Sequence, residues 1–246
     1  MIRLFHKRNS FFDLLPNDSL LIGDRPYVVE KVARGGMGFV LLLTLDHAKA
    51  PERLSALGLK VALKGVLPSV ADPEGIALFK RELTIWSAFR HFNVVWLLEI
   101  VDGGDAGWLA AMDWCPGSLR DLLKEARRFS YADSAHVMCH LIDGLAYAYE
   151  KDRVLHLDLK PENVLYHLNV RSLTDADAIS SLEQYRFMVS DWGIASVKQT
   201  KLNAIAGQSL TDEATQRTFN NIGTVLYMAP ERFSAGFRSS VASDVL

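Results

Sequence analysis

Cysteine is scarce in this chain. Only Cys115 and Cys139 occur in 246 residues, both inside apolar segments and without metal-ligand spacing. That excludes a disulfide framework and a thiolate metal knuckle, and it favours free thiols in a reducing compartment. Both are read as core filler, because a free cysteine usually behaves as a small buried hydrophobe. An excess of charge is lacking too: 27 basic residues stand against 29 acidic ones, a formal net charge of −2. No global field therefore gathers nucleic acid or an anionic membrane, and any phosphate recognition must be local. No apolar run reaches the roughly 18–20 residues that span a bilayer. Met1–Ser10 carries His6, Lys7 and Arg8 in place of a signal peptide's apolar stretch. Internal repeats and low-complexity tracts are absent. What is present is 49% hydrophobic and 23% charged residues, enough apolar material for one large domain or two small lobes. A cytoplasmic location is the expectation.

Along the chain, Tyr27 to Leu45 is a β-rich run interrupted by Arg34-Gly35-Gly36-Met37-Gly38, which predicts a strand, a glycine turn and a second strand. Leu57 to Leu67, containing Lys60-Val61-Ala62-Leu63-Lys64, predicts a further short strand with one lysine embedded at its apolar centre, and such a lysine needs a partner. A helix follows, with Ile76, Phe79, Leu83 and Trp86 on one stripe and Leu78, Ile85 and Phe89 beside it; Glu82 falls within the second stripe and is expected to point inward. Trp96–Ile100 and Trp108–Trp114 read as two more strands. Then the character changes: Met138, Leu141, Ile142, Leu145 and Tyr149 have helical spacing, and polar Ser130–Ser134 marks the helix start. Pro116-Gly117 lies at the change in composition and reads as a linker.

The glycines are the first chemical signal. Gly35, Gly36 and Gly38 leave amide donors open and permit close backbone approach, which suits phosphate, although an ordinary hairpin turn uses the same residue. Lys64 paired with Glu82 suits phosphate too, although a structural ion pair is the plainer reading of those two alone. Further along stand His156-Leu157-Asp158-Leu159-Lys160-Pro161-Glu162-Asn163-Val164-Leu165, then Asp191-Trp192-Gly193, then Gly223-Thr224-Val225-Leu226-Tyr227-Met228-Ala229-Pro230-Glu231. In this order and spacing the set resembles eukaryotic-type, bacterial-like serine/threonine protein kinases, from about Tyr27 to the C-terminus.

The resemblance implies an α+β, two-lobed kinase fold: an antiparallel β-sheet lobe with one main helix over 27–114, and an incomplete, mostly helical lobe over 115–246, preceded by an N-terminal extension over 1–26. It implies transfer of the γ-phosphate of Mg-ATP to protein serine or threonine, with ATP and Mg²⁺ as cofactors. Asp158 would orient the substrate hydroxyl and take its proton, and Lys160 would stabilise the transferring phosphate. Lys64, oriented by Glu82, would hold the α- and β-phosphates, and Asn163 and Asp191 the magnesium. The nucleotide would lie among Val32, Gly35, Gly36, Gly38, Val40, Ala62, Met112, Asp113, Cys115 and Leu165. The partner implied is a protein substrate; neither nucleic acid nor a membrane segment is expected. Lys160 and Thr224 are of the serine/threonine type.

Five departures stand out. Ala33 replaces the first glycine of the loop, and Trp192 replaces the usual phenylalanine, which bears on active and inactive packing. Leu157 stands where many kinases carry an arginine that pairs with a phosphorylated activation residue. This implies independence of that switch despite Thr200, Ser209, Thr211, Thr215 and Thr218. The polar stretch Asn169–Gln184 reads as an inserted surface loop with a short helix. Ser243-Asp244-Val245-Leu246 resembles the start of the helix that anchors the catalytic loop, so the 246 residues alone are expected to be marginally stable. A kinase-fold module that binds nucleotide or a partner without turnover is the second reading. A small-molecule phosphotransferase is a third, against which Ala229-Pro230-Glu231 and Lys160-Pro161 argue.

Overall fold

The computed structural model describes residues 2–5, 11–34, 38–46, 59–66, 80, 83–104, 107–125, 128–168, 182–192 and 227. They fall into two compact units, one of 1–88 with 96–114, the other of 89–95 with 115–246.

Strict alternation shapes the first unit. In β4 (Gly38–Leu45) Phe39, Leu41, Leu43 and Leu45 are buried, and their neighbours are only partly covered. A half-buried strand produces this period of two. It pairs antiparallel with β3 (Arg25–Arg34) and β5 (Lys60–Val66), so the two strands expected on either side of the glycines are in place, and residues 35–37 between them lie outside the described residues. β6 (Leu97–Asp102) and β7 (Trp108–Asp113) follow the two later runs closely. Two segments ahead of β3 are part of this sheet. They supply β1 (Ile2–Phe5) and β2 (Ser19–Ile22), and Gly23 at φ 65° makes the turn from β2 into β3. All seven strands run antiparallel in the order β1-β2-β3-β4-β5-β7-β6. Their core face buries Leu14, Leu20, Ile22, Tyr27, Val29, Leu41, Leu43, Val61, Leu63 and Leu109. Residues 83–87 are helical, with Leu83 and Trp86 buried. Ile76, Phe79 and Glu82 of the same expected helix lie outside the described residues.

The second unit is built on capped helices. Ser118 and Asp121 form a capping box at the start of α1 (Leu119–Lys124), and Ser130 and Asp133 form another at the start of α2 (Tyr131–Asp152). Each box satisfies two backbone donors that the first helical turn leaves open. α2 ends where Arg153 takes φ 54°. It packs against β10 (Tyr185–Val189), which forms a three-stranded sheet with β9 (Val164–Leu168) and β8 (Gly117–Ser118) in the order β10-β9-β8.

The buried stripe of α2 differs from the expected one. Val137, Leu141, Gly144 and Ala148 face inward, and Met138 and Ile142 are 45% and 48% exposed. Closeness of approach decides this: at Gly144 the helix meets the backbone oxygen of Asn93 so tightly that a Cβ would sit 2.5 Å from it. Small residues therefore mark the contact face better than large apolar ones do. The same rotation leaves Cys139 exposed, and Cys115 is only half-buried, so neither thiol is core filler. Of the polar stretch 169–184, Leu182–Gln184 forms a single 3-10 turn and 169–181 lies outside the described residues. Among the described residues no helix is long and apolar enough to cross a membrane.

Candidate active site

Beyond α2 the chain runs without regular structure to Lys160. It then turns through Pro161–Asn163 into β9, with proline at the first helical position, where its missing N–H costs nothing. Asp158 is 3% exposed in this loop. Its Oδ2 accepts from Lys160 Nζ at 3.1 Å and from Asn163 Nδ2 at 3.2 Å, and its backbone oxygen accepts from the same Nδ2 at 2.8 Å. A buried carboxylate must be paired and hydrogen-bonded, and this one is.

His156 fixes the loop from beneath. Its Nδ1 accepts from the Asp158 N–H at 3.2 Å, so its Nε2 carries the proton and donates to the Ser190 carbonyl at 2.7 Å. Ser190 returns both its N–H and its hydroxyl to the Asn163 carbonyl, each at 2.9 Å. Ser190 is 2% exposed and is the last residue before Asp191. Asp158, Lys160 and Asn163 are thus bound into one network, which Ser190 carries to the residue before Asp191. Leu157 and Asp191 adopt φ 58° and 66°, which non-glycine residues take at a cost of about 1–2 kcal/mol each. Such outliers cluster where the surrounding bonds over-determine a functional geometry.

Trp192 is 4% exposed. Its ring meets Phe89 and His156 edge-on, at 5.3 and 5.1 Å between centroids, and its Nε1–H donates to the Val189 carbonyl at 3.2 Å. Phenylalanine has no equivalent of that last bond. At the outer edge of the unit Arg120 on α1 donates from Nε to Glu162 at 2.8 Å and from Nη2 to the Tyr227 hydroxyl. The bond joins the loop of Asp158 to a residue of the Gly223–Glu231 motif. Neither Ser190 nor Arg120 carried a signal in the sequence, since their roles come from partners 27 or more residues away.

In the first unit, strand register assigns the remaining residues to faces. Lys64 stands across from Val40 on β4 and Ala110 on β7; Ala62 stands across from Leu42 and Met112. Directly opposed residues point to the same side of a sheet, so Val40, Ala62, Lys64 and Met112 share one face. Val32 does not join them. It stands across from Leu41 and packs against the buried core on the opposite face. Gly38 opens β4, and Asp113 ends β7 with its N–H on the Trp96 carbonyl. Cys115 begins the longer segment of the second unit, where Leu165 lies on β9 across from Met188 and Ser118. Gly35, Gly36 and Glu82 lie outside the described residues, as do Gly193 and Gly223–Glu231 apart from Tyr227.

The donor chemistry fits a hard cation. The Asn163 nitrogen is committed to Asp158, so its side chain offers an oxygen, and Asp191 adds a carboxylate. No group of three His, Cys, Asp or Glu suited to a metal occurs among the described residues.

A family model for the protein kinase domain matches residues 30–245. The chain is 30% identical over 238 residues to serine/threonine-protein kinase pkn2 of Myxococcus xanthus, covering 94% of this chain and 24% of that protein. It is 28% identical over 177 residues to serine/threonine-protein kinase 33 of Bos taurus, covering 72% of this chain and 32% of that one. The kinase domain of Mycobacterium tuberculosis PknI superposes with a TM-score of 0.51 at 22% identity, over 69% of this chain and 60% of that chain. The chain spans about a quarter to a third of the length of these curated relatives.

Proposed function

The chain belongs to the protein kinase domain family, and we propose that it transfers the γ-phosphate of Mg-ATP to a serine or threonine hydroxyl of a protein. One observation carries the reading: the buried Asp158–Lys160–Asn163 cluster, tied through Ser190 to Asp191.

Asp158 would accept the proton of the substrate hydroxyl as the hydroxyl oxygen bonds to the γ-phosphorus and the bond from that phosphorus to the β–γ bridging oxygen breaks, releasing ADP. Lys160, already on the same carboxylate, would meet the negative charge of the transferring group. Asn163 and Asp191 would hold magnesium, which when bound neutralises charge on the phosphate oxygens. Lys64, oriented by Glu82, would bind the α- and β-phosphates, with the amides of Gly35, Gly36 and Gly38 around them. Val40, Ala62, Met112 and Leu165 would enclose the base, and backbone groups of Asp113–Cys115 would bond its edge. Phosphoryl transfer asks for positioning and charge more than for covalent help, and this set supplies both. Serine/threonine preference is supported by Lys160 and Thr224. A cytoplasmic location goes with the reading, supported by two free thiols.

The test is transfer of labelled γ-phosphate from Mg-ATP to a generic protein substrate. Asp158→Ala is expected to lower it by at least about a hundredfold with nucleotide binding retained. Binding of Mg-ATP with no transfer by the parent chain would refute turnover and leave a nucleotide-binding module.

A further inference from the structure

The residues ahead of β2 reach the glycine hairpin. Phe11–Asp13 forms a 3-10 turn in which Phe11 is buried, followed by Leu14 at 1% exposure. Arg34, the last residue of β3, donates from Nη2 to the carbonyls of Phe12 at 2.7 Å and Leu14 at 3.0 Å. Phe39, across from Arg34 at the start of β4, meets Phe11 at 5.3 Å and Phe12 edge-on at 5.5 Å between ring centroids. It also lies over Gly65, where a Cβ would sit 2.6 Å from its ring. The segment is itself pinned: the Asn17 N–H donates to the Val29 carbonyl at 2.8 Å, and the Val29 N–H to the Asp18 carbonyl at 2.9 Å.

Arg34↔Phe39 is the register pair that closes the hairpin on either side of Gly35, Gly36 and Met37. Both members point to the core face, away from Lys64. Arg34 therefore stands next to the glycines with its guanidinium engaged on the opposite side of the sheet from the phosphate-binding lysine.

We propose that residues 11–14 brace the glycine hairpin, with Arg34 and Phe39 as positioning residues that set its affinity for nucleotide phosphate. The brace rests on the nucleotide reading above. It acts by holding the two strand ends, Arg34 and Phe39, from which the turn departs, so that less freedom is lost when nucleotide binds.

The experiment measures Mg-ATP binding, kcat, KM for ATP and thermal melting in the full chain, with Lys64→Ala as reference. Arg34→Ala removes the two bonds of a surface guanidinium. It is expected to weaken Mg-ATP binding about fivefold or more, with kcat within about twofold and the melting temperature nearly unchanged. Phe12→Ala, which cuts the edge contact on Phe39, should act in the same direction, and the double variant should lose less than the product of the two. Arg34→Ala with parental affinity, in a protein whose Lys64→Ala variant binds poorly, overturns the brace and leaves the nucleotide site standing. Lys64→Ala with parental affinity overturns the nucleotide reading and the brace together. Affinity lost only in step with the melting temperature in both variants makes the contacts structural, which also overturns the proposal.

Discussion

Trp192 shows how one residue adapts a shared site. Its indole N–H reaches the Val189 carbonyl, which also accepts from the Val95 N–H at 2.9 Å. Trp192→Phe would therefore strand no buried acceptor, and it removes only the tether beside Asp191. A net hydrogen bond of this kind is worth about 0.5–1.5 kcal/mol. If Asp191 holds magnesium, Trp192→Phe should raise the magnesium concentration for half-maximal activity by about 2- to 10-fold. Titration of activity with magnesium at saturating ATP checks this. An unchanged midpoint would confine Trp192 to packing against Phe89 and His156.

Helix α2 carries the second unit by close approach. Gly144 sits against the Asn93 carbonyl, and Asn93 has little room to yield: its Nδ2 donates to the Phe187 carbonyl at 2.9 Å, and its own carbonyl accepts from the Val189 N–H at 2.9 Å. Gly144→Ala gains about 1 kcal/mol of helix propensity. A methyl group forced against fixed backbone costs about 1–3 kcal/mol. The clash outweighs the propensity, so the unfolding midpoint in urea should fall. A rise would mean that Asn93 moves freely and that α2 is not held there.

Across the whole molecule, balanced charge hides a local pH sensitivity. His140 on α2 faces β10, with Nδ1 accepting from the Phe187 N–H at 3.4 Å. Burial lowers its pKa below the ordinary 6.5; His136 and Arg186 lower it further, and Asp143 opposes them. Below about that ordinary value the unfolded chain takes up the proton first. Stability from His140 is therefore complete above pH 6.5 and is lost as pH falls through the lower folded value. The melting temperature should decline between pH 7 and pH 5.5, and the decline should be shallower in His140→Gln. Parallel curves for the two proteins would exclude His140 as the cause.

The sequence by itself determined the proposed chemistry and most of the strands. Asp158, Lys160, Asn163 and Asp191 are legible as candidates because the proposed phosphoryl transfer would tolerate few side chains, and their spacing in the chain is independent of how it packs. The strands from β3 to β7 are legible because alternation is a local signal. Tertiary structure alone decided which face each residue took and who holds the site in place. Val32 reads as a nucleotide contact yet packs on the core face, because pairing with Leu41 rather than composition sets its side. Residues 1–26 read as an extension, yet Ile2–Phe5 and Ser19–Ile22 among them form strands of the sheet, and Arg34 reads as part of the glycine turn yet engages Phe12 and Leu14. Met138 and Ile142 read as core yet face outward, because Gly144 and Ala148 allow the closer contact. In each case the deciding partner lies on another element, and a pairwise contact between elements leaves no periodic trace in the residues that make it.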